Sequence, residues 1–378
     1  MRISRISALL AAGAIMFLSC TELPEENNGN NGNEENNPGV GSSELVLLAS
    51  DMIIQANGED AVQLTVLSDG EPVTEGVRLY DGKTNKLLEL PDMTFTTTET
   101  GEYSFWAAYG TSHTDIVSVT AIGFPVPELP EDPDPENTSF SRKVLLTQFT
   151  GTGCGYCPGM ITLLRSLMED EDYSSRTVLA ACHTYNSDDP AYLDDRLDQA
   201  MGVTGYPMVV ADMYYAYNNY NSEAGLKNVI DAAYDRTDAK AGISARAELN
   251  GNTLVVLTSV KAAGTSEFRI GAWLLEDGIE GRQANYSSWP GDFDTHDNCI
   301  RIADSRVSNF DFTGHSLGTL ESGQTTEYAF VMNLEEDWNT DNCHLVIFIT
   351  TPEEGEDFFT VNNAIPCGIN ESVPFQYR

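Results

Sequence analysis

The chain has few basic residues and no apolar segment long enough to cross a membrane. Its 378 residues include 20 lysines and arginines against 58 aspartates and glutamates, for a formal net charge of −38. This balance excludes binding to nucleic acid, or to an anionic membrane surface, through protein charge. The apolar run from Ala8 to Leu18 is too short for a permanent membrane-spanning helix. The composition therefore predicts an extracytoplasmic protein that is kept soluble by self-repulsion.

The chain also lacks the sequence motifs that usually form a metal or cofactor site. No second CxxC and no HxxxH accompany the single CxxC motif, so a zinc site would be short of two ligands. Asp292, Asp294 and Asp297 around His296 offer oxygen ligands for calcium, but without EF-hand spacing. No flavin, nicotinamide or haem motif is present. We predict no metal and no cofactor, so any electrons must come from another dithiol protein.

The N-terminus carries a targeting signal. Arg2 and Arg5 form a positive region, an apolar stretch follows, and Phe17-Leu18-Ser19-Cys20 resembles a lipobox. We predict a signal peptide over residues 1–19, with lipidated Cys20 as the membrane anchor of the mature protein. The alternative is a soluble secreted product cleaved near Ser19. Residues 20–43 are rich in Asn, Glu and Gly and predict a disordered acidic tether.

The CxxC motif lies between a predicted strand, residues 144–149, and a predicted helix that begins near Pro158. Thiols at a helix N-terminus face unpaired backbone N–H groups and the positive end of the dipole, which favour thiolate. This placement predicts Cys154 as a nucleophile and Cys157 as the resolving thiol. The alternative is an inert disulfide that staples the turn. The predicted inner face of the helix comprises Met160, Ile161, Leu163, Leu164, Leu167 and Met168.

A second motif, Gly205-Tyr206-Pro207 before an apolar strand, makes the segment resemble thioredoxin-like oxidoreductases. In that family a cis-proline faces the CxxC and helps to align a substrate peptide, so the resemblance implies a catalytic role for Pro207. A trans proline before an edge strand is the alternative. The implied partner is a protein thiol or disulfide, as substrate or redox partner. Gly155-Tyr156 is similar to the middle pair of some periplasmic disulfide isomerases, which leaves isomerase, reductase and oxidase open.

We predict a multidomain fold: an N-terminal all-β immunoglobulin-like sandwich, a central α/β thioredoxin-like domain and a C-terminal all-β sandwich. Alternating apolar residues and Asp-Gly turns indicate the first sandwich, and five prolines indicate a stiff spacer after it. Asn250-Gly251 predicts a hairpin in the last sandwich. The predicted boundaries are 44–122 for the first sandwich, 123–139 for the proline-rich acidic linker, 140–240 for the thioredoxin-like domain and 241–378 for the C-terminal sandwich.

Four further cysteines follow the CxxC motif. Cys343 and Cys367 lie at the open ends of a predicted hairpin, at equal distances from its turn, which predicts a structural disulfide. Two reduced, separately buried cysteines are the alternative. Cys182 and His183 adjoin on a predicted strand and so point to opposite faces. We interpret Cys182 as a buried small hydrophobe, with a third redox thiol as the other possibility.

The order of these features resembles a Bacteroidetes outer-membrane lipoprotein family of about twenty-eight kilodaltons. The resemblance is carried by the lipoprotein signal, the CGxCP segment, a helix-poor C-terminal region and Asp297-Asn298-Cys299-Ile300-Arg301. It covers residues 141–375 and makes the first sandwich an added module. It implies a lipid-anchored outer-membrane protein, on the cell surface or the periplasmic face. Two functions stay open: a thiol–disulfide oxidoreductase, and a surface binding or adhesion protein with a redox-inactive scaffold.

Overall fold

The computed structural model describes residues 45–194 and 196–378. The chain divides into two compact units, Met1–Val126 and Pro127–Arg378. The predicted signal peptide, the lipidation site at Cys20 and the acidic tether lie outside the described residues. Within the described ranges, no helix combines the length and apolar character that crossing a membrane requires.

The first unit consists of short strands in two sheets. The strands are β1 Leu45–Ala49, β2 Ile53–Gln55, β3 Val62–Ser68, β4 Glu71–Val73, β5 Arg78–Asp81, β6 Leu87–Leu88, β7 Thr94–Phe95, β8 Gly101–Tyr109, β9 Ser112–His113 and β10 Val117–Ile122. One sheet has the order β1-β3-β4 with β7 against β3, and the other has the order β2-β10-β8-β5-β6 with β9 against β8. Side chains from both sheets share one apolar core, which includes Leu64, Val66, Phe105 and Val119.

The second unit begins with a mixed segment and continues almost entirely as strands. The mixed segment comprises β11 Val144–Thr150, α1 Cys157–Glu169, α2 Glu171–Ser174, β12 Thr177–His183, α3 Leu197–Ala200, β13 Met208–Ala211, β14 Tyr215–Tyr217 and α4 Glu223–Asp235. The strands that follow are β15 Ala241–Asn250, β16 Thr253–Ala262, β17 Ser266–Glu276, β18 Ile279–Glu280, β19 Thr295–His296, β20 Cys299–Asp304, β21 His315–Leu320, β22 Thr325–Asn333, β23 Cys343–Pro352, β24 Phe359–Gly368 and β25 Ser372–Val373.

The predicted fold class, with a separate α/β thioredoxin-like centre, is wrong. The protein is mostly β-sheet, since 44% of residues 45–194 and 196–378 lie in strands and 12% in helices. The mixed segment has no sheet of its own, because β14, β13, β11 and β12 continue through β20 into β17, β23 and β24. The junction is the parallel pairing of Ala181 with Cys299. An isolated centre would leave the edge of β12 unpaired, and the C-terminal strands supply its partner.

Two cores lie on the faces of this nine-stranded sheet near β11. On one face, α1 and α4 cover Leu146 and Val209. On the other face, Phe149 of β11 shares a core with Trp273 and Phe348 of the C-terminal strands. Helix α1 forms where the sequence predicts it, because it has a one-sided apolar stripe. Helix α4 has a similar stripe, and the Ser222 hydroxyl accepts a hydrogen bond from the Gly225 N–H at its start.

A second sheet, β22-β16-β15-β25, packs over the C-terminal part of the large sheet and shares an apolar core with β17, β23 and β24. The predicted hairpin at Asn250-Gly251 is confirmed, since β15 and β16 pair antiparallel around it and Gly251 has a φ of 62°. The left-handed backbone there is the conformation that glycine adopts without steric cost.

The predicted disulfide between Cys343 and Cys367 is wrong. The hairpin of β23 and β24 forms as expected, but Cys367 lies opposite Leu345 rather than opposite Cys343. The two cysteines are thus a diagonal pair, and diagonal neighbours lie about 7–8 Å apart, beyond disulfide reach. Both are buried and unbonded. Burial raises the pKa of each thiol to about 11, so both stay protonated at neutral pH.

Candidate functional site

The CxxC motif forms a disulfide between β11 and α1, the position that the sequence predicts. Cys154 and Cys157 are bonded, and α1 begins at Cys157 with Pro158 in its first turn. Neither sulfur is accessible, since Cys154 is 2% exposed and Cys157 is fully buried. The predicted nucleophile, Cys154, is therefore closed to a substrate in this conformation.

A segment from the C-terminal half covers the disulfide, and we call residues 281–289 the cover segment. The Ala284 N–H donates to the Thr152 carbonyl at 2.7 Å, and the Tyr286 N–H donates to the Gly155 carbonyl at 2.8 Å. The Gln283 side-chain Nε2 donates to the Cys154 carbonyl at 2.9 Å. These bonds join residues 151–157, which we call the disulfide loop, to residues about 130 positions later in the chain.

Gly155 is the position that lets the cover segment lie so close. A Cβ at this residue would come 2.2 Å from the ring of Tyr286, well inside van der Waals contact. The Tyr286 ring therefore lies directly on the backbone between the two cysteines. A side chain at position 155 would displace this ring, so the glycine contributes to the burial of the sulfurs.

Four tyrosines lie around the covered disulfide, and we call Tyr156, Tyr185, Tyr220 and Tyr286 the tyrosine surface. Tyr220 is partly buried, and the other three are exposed. Tyr156 contacts Tyr286 edge to face and stacks on Tyr220, with both ring centroids 5.9 Å away. Tyr286 is 72% exposed and Tyr156 is 48% exposed. Aromatic rings held by one another yet open to solvent are typical of binding surfaces, since they offer apolar area at low entropic cost.

Pro207 follows a cis peptide bond after Tyr206, which confirms the predicted isomer. The Tyr206 hydroxyl bonds to Asp198 and to the Thr184 hydroxyl, both at 2.9 Å. Its ring contacts the ring of Tyr185 at 5.3 Å. Tyr185 in turn lies against Gly151 in the disulfide loop. The turn before β13 and the disulfide loop are thus linked through the tyrosine surface.

Behind the disulfide loop lies a buried chain of hydrogen bonds that sequence reasoning missed. Asp189 accepts hydrogen bonds from the Thr152 N–H at 2.6 Å and from Nδ1 of His183 at 2.9 Å. The other ring nitrogen of His183 lies 3.5 Å from the Cys299 sulfur. Burial acts to raise the pKa of Asp189, but the hydrogen bonds and the attraction of His183 outweigh it and lower that pKa to about 2. Asp189 therefore holds the loop as a carboxylate at neutral pH.

Cys299 at the end of this chain is fully buried, and burial raises its pKa well above the ordinary value. It is therefore a thiol that donates to His183 rather than a nucleophilic thiolate. Cys182, on the opposite face of β12 from His183, packs in the apolar core, as predicted. No local pattern marks Gln283 or Asp189 as a partner of the disulfide loop, because Cys154 and Thr152 lie 129 and 37 positions away from them.

No group of three or more His, Cys, Asp and Glu side chains that could hold a metal ion occurs in residues 45–194 and 196–378. The three aspartates considered for calcium bind the backbone instead. Asp292 accepts from the Asp294 N–H, Asp294 accepts from the Gln283 N–H, and Asp297 accepts from the Gly278 N–H. The Asp294 contact fixes the start of the cover segment.

The sequence matches the model of a known family over residues 194–367. The match is to outer membrane protein Omp28. This Omp28-like region starts after the CxxC motif and contains the cover segment and Cys299. The outer-membrane localisation implied by the family resemblance is confirmed by this match. No curated protein matches the chain.

Among solved structures, the chain is similar to HBP35 of Porphyromonas gingivalis, with 17% identity, 63% of this chain and 78% of that chain covered, and a TM-score of 0.51. This likeness concerns the fold alone. A domain of the outer membrane lipoprotein Omp28 from Porphyromonas gingivalis aligns at 17% identity over 35% of this chain and 89% of that chain, with a TM-score of 0.24. The latter overlap is too poor to support a structural argument.

Proposed function

We propose that this Omp28-like outer-membrane protein binds other polypeptides through the tyrosine surface, and that the Cys154–Cys157 disulfide is a structural part of that surface. The observation that carries the proposal is that both cysteines are buried while the neighbouring rings of Tyr156 and Tyr286 are exposed. A catalytic disulfide must meet a substrate thiol, whereas a structural one benefits from exclusion of reductants. Under this proposal the disulfide fixes the backbone conformation of Tyr156, which lies between the two cysteines in the sequence.

The charge of the protein defines the partner further. The net charge is −38, and Asp188 lies on the loop beside Tyr185, where it accepts a hydrogen bond from Asn186. Such a surface repels acidic partners and attracts basic ones. Tyrosine rings add apolar contact area and hydroxyl groups. We therefore propose a neutral or basic polypeptide segment as the ligand.

Panning a random peptide library displayed on phage against the full chain tests this proposal. We expect neutral or basic peptides to be enriched, and their affinity to fall about tenfold or more in Tyr286→Ala, since exposed anchor aromatics dominate interface energetics. Tyr109→Ala, which removes an exposed tyrosine of the first unit, is the matched control and should leave affinity unchanged. Enrichment of acidic peptides, or equal affinity for Tyr286→Ala, would refute the proposal.

A second candidate function is thiol–disulfide exchange, favoured by the position of the disulfide at the first turn of α1. In the reduced form, the Cys154 thiolate would attack a substrate disulfide and form a mixed disulfide. Cys157 would then displace the substrate thiol and restore the Cys154–Cys157 bond, and a second dithiol would return the two electrons. Pro207 would present the substrate peptide. This reaction requires the cover segment to open.

Insulin reduction with dithiothreitol as the electron source tests the second candidate. If exchange occurs, Gln283→Ala should raise the rate about tenfold, because the lost amide also donates to the Gly151 carbonyl at 3.2 Å and its bonds hold the cover segment closed. Gln324→Ala, on a turn remote in sequence, should leave the rate unchanged. Equal rates for the wild type and for Cys154→Ser would rule the reaction out, while the peptide-binding proposal would stand.

A further inference from the structure

A small cavity lies between α1 and the large sheet, separate from the covered disulfide. Its volume is about 170 Å³, and its walls come from α1, β11, β12 and the segment around β19. Leu164, Met168 and Leu179 provide the apolar part of the wall. Ligand pockets for drug-sized molecules are larger, about 300–1,000 Å³, so this cavity suits a smaller molecule.

Two polar side chains of β11 line this cavity and lack partners. Gln148 and Thr150 are 5% and 2% exposed. Gln148 Nε2 and Thr150 Oγ1 have no hydrogen-bond partner among the described residues. The two residues alternate with Phe149, so they share the face of β11 that points toward α1. Leaving such groups unsatisfied costs about 1–3 kcal/mol each, which a bound molecule with matching polar atoms would recover.

His296 adds a third polar group to the wall. Its Nε2 lies 2.8 Å from the Gly281 carbonyl, so Nε2 carries the hydrogen and Nδ1 carries the lone pair. Burial lowers the pKa of His296, and the attraction of nearby carboxylates does not overcome this effect. His296 is therefore a neutral acceptor at pH 7. The cavity thus offers the Gln148 N–H donors, the Thr150 hydroxyl and one ring acceptor.

The charges around the cavity exclude an ionic ligand. Gln148, Thr150 and His296 are neutral. Arg165 and Asp297 line the cavity as exposed residues of opposite sign. The Arg165 guanidinium is already engaged, since it donates to the Asp292 carbonyl at 2.7 Å and lies 5.3 Å from the ring of Phe293. His183 also lines the cavity, but the buried Asp189 carboxylate behind it already accepts hydrogen bonds from His183 and from the Thr152 and Ala191 N–H groups. An anion or a cation would therefore lose its hydration without a free buried counter-charge.

We propose that this cavity binds a small neutral carboxamide with a short branched apolar group. Its carbonyl oxygen accepts from Gln148 Nε2 and the Thr150 hydroxyl, and its N–H group donates to His296 Nδ1. The apolar group packs against Leu164 and Leu179. The site does not use the tyrosine surface, and it meets the cover segment only through the hydrogen bond between His296 and the Gly281 carbonyl. Its occupancy therefore does not require peptide binding at the tyrosine surface.

Saturation-transfer NMR on the full chain, with isovaleramide as the probe, tests this site. Isovalerate and isopentylamine share its apolar group but carry a negative and a positive charge. We expect saturation of isovaleramide, and at least tenfold weaker binding of both charged probes. Gln148→Leu and Thr150→Val should each weaken isovaleramide binding about tenfold, the effect of one lost hydrogen bond.

The matched control is Thr147→Val. Thr147 neighbours Gln148 on β11, and its buried hydroxyl also lacks a partner, but it does not line the cavity. Thr147→Val should leave probe binding unchanged. A thermal melt of Gln148→Leu verifies folding, since removal of an unsatisfied buried amide should preserve or raise Tm. Absence of isovaleramide saturation, equal binding by folded Gln148→Leu, or equal binding of the charged probes would overturn the proposal.

Discussion

Arg142→Met is expected to lower the free energy of unfolding by about 3 kcal/mol or more at pH 7. Arg142 forms an ion pair with Asp212, and both side chains are at least 99% buried. The substitution leaves the Asp212 carboxylate in the core, where only Arg236 at 3.9 Å and the Leu145 N–H at 2.9 Å still face it. Urea unfolding of the full chain measures the loss.

The loss of unfolding free energy in Arg142→Met should be smaller at pH 5 than at pH 7. Burial raises the pKa of Asp212 even in the presence of Arg142, and removal of the arginine raises it further. A carboxyl group with a raised pKa in the folded state binds more protons when folded than when unfolded. Its contribution to stability therefore increases as the pH falls through that raised pKa. The other carboxylates are the same in variant and wild type, so the difference between their unfolding free energies at each pH reports on Asp212 alone.

Two variants show whether the buried charge is responsible. Arg246→Met breaks the part-exposed pair of Arg246 with Glu248 and should cost about 1 kcal/mol or less. Asp212→Asn added to Arg142→Met should restore most of the loss, because asparagine accepts from the Leu145 N–H without a charge and tolerates the φ of 52° at this position. A loss in Arg142→Met no larger than that in Arg246→Met would contradict the assignment.

Trp273→Ala should cost about 3–5 kcal/mol and destabilise the mixed segment as well as the C-terminal strands. Trp273 is fully buried, donates from Nε1 to the Ser305 hydroxyl at 2.9 Å, and meets the ring of Phe348 at 5.0 Å. Its core includes Leu145 and Phe149 of β11. Since the large sheet is continuous, amides of β11 and β17 should lose protection by similar amounts in hydrogen exchange.

Trp106→Ala in the first unit is the control for this result. Trp106 stacks on Tyr80 with ring centroids 4.2 Å apart, but it is only partly buried. Trp106→Ala should lower the free energy of unfolding by less than Trp273→Ala does. It should also leave amide protection in β11 and β17 unchanged. Retained protection of β11 in Trp273→Ala, together with loss in β17, would instead support an independently folded centre.

Much of the local structure could be predicted from the sequence because its causes are local. The apolar stripe of α1 and the Ser222 cap of α4 are encoded within one or two turns. The Asn250-Gly251 hairpin is encoded by four residues. The Cys154–Cys157 bond joins residues three positions apart. The cis bond before Pro207 is expected from the resemblance to thioredoxin-like oxidoreductases rather than from a local cause.

The fold class and the state of the site depended on long-range pairing, which periodicity does not encode. The pairing of Ala181 with Cys299 merges two predicted domains into one sheet. An offset of two residues between β23 and β24 separates Cys343 from Cys367. A register shift of this size keeps the same faces buried, so the apolar pattern gives no sign of it.

The sequence by itself determined an acidic outer-membrane lipoprotein rich in strands, with a CxxC pair at the start of a helix. Only the tertiary structure decided that this pair is covered, because Gln283 and Tyr286 reach it from about 130 residues away. It also decided that Gln148 and Thr150 line a cavity. The physical reason is that burial and partner choice are properties of the packed sheet, whereas helix starts, turns and short disulfides follow from neighbouring residues.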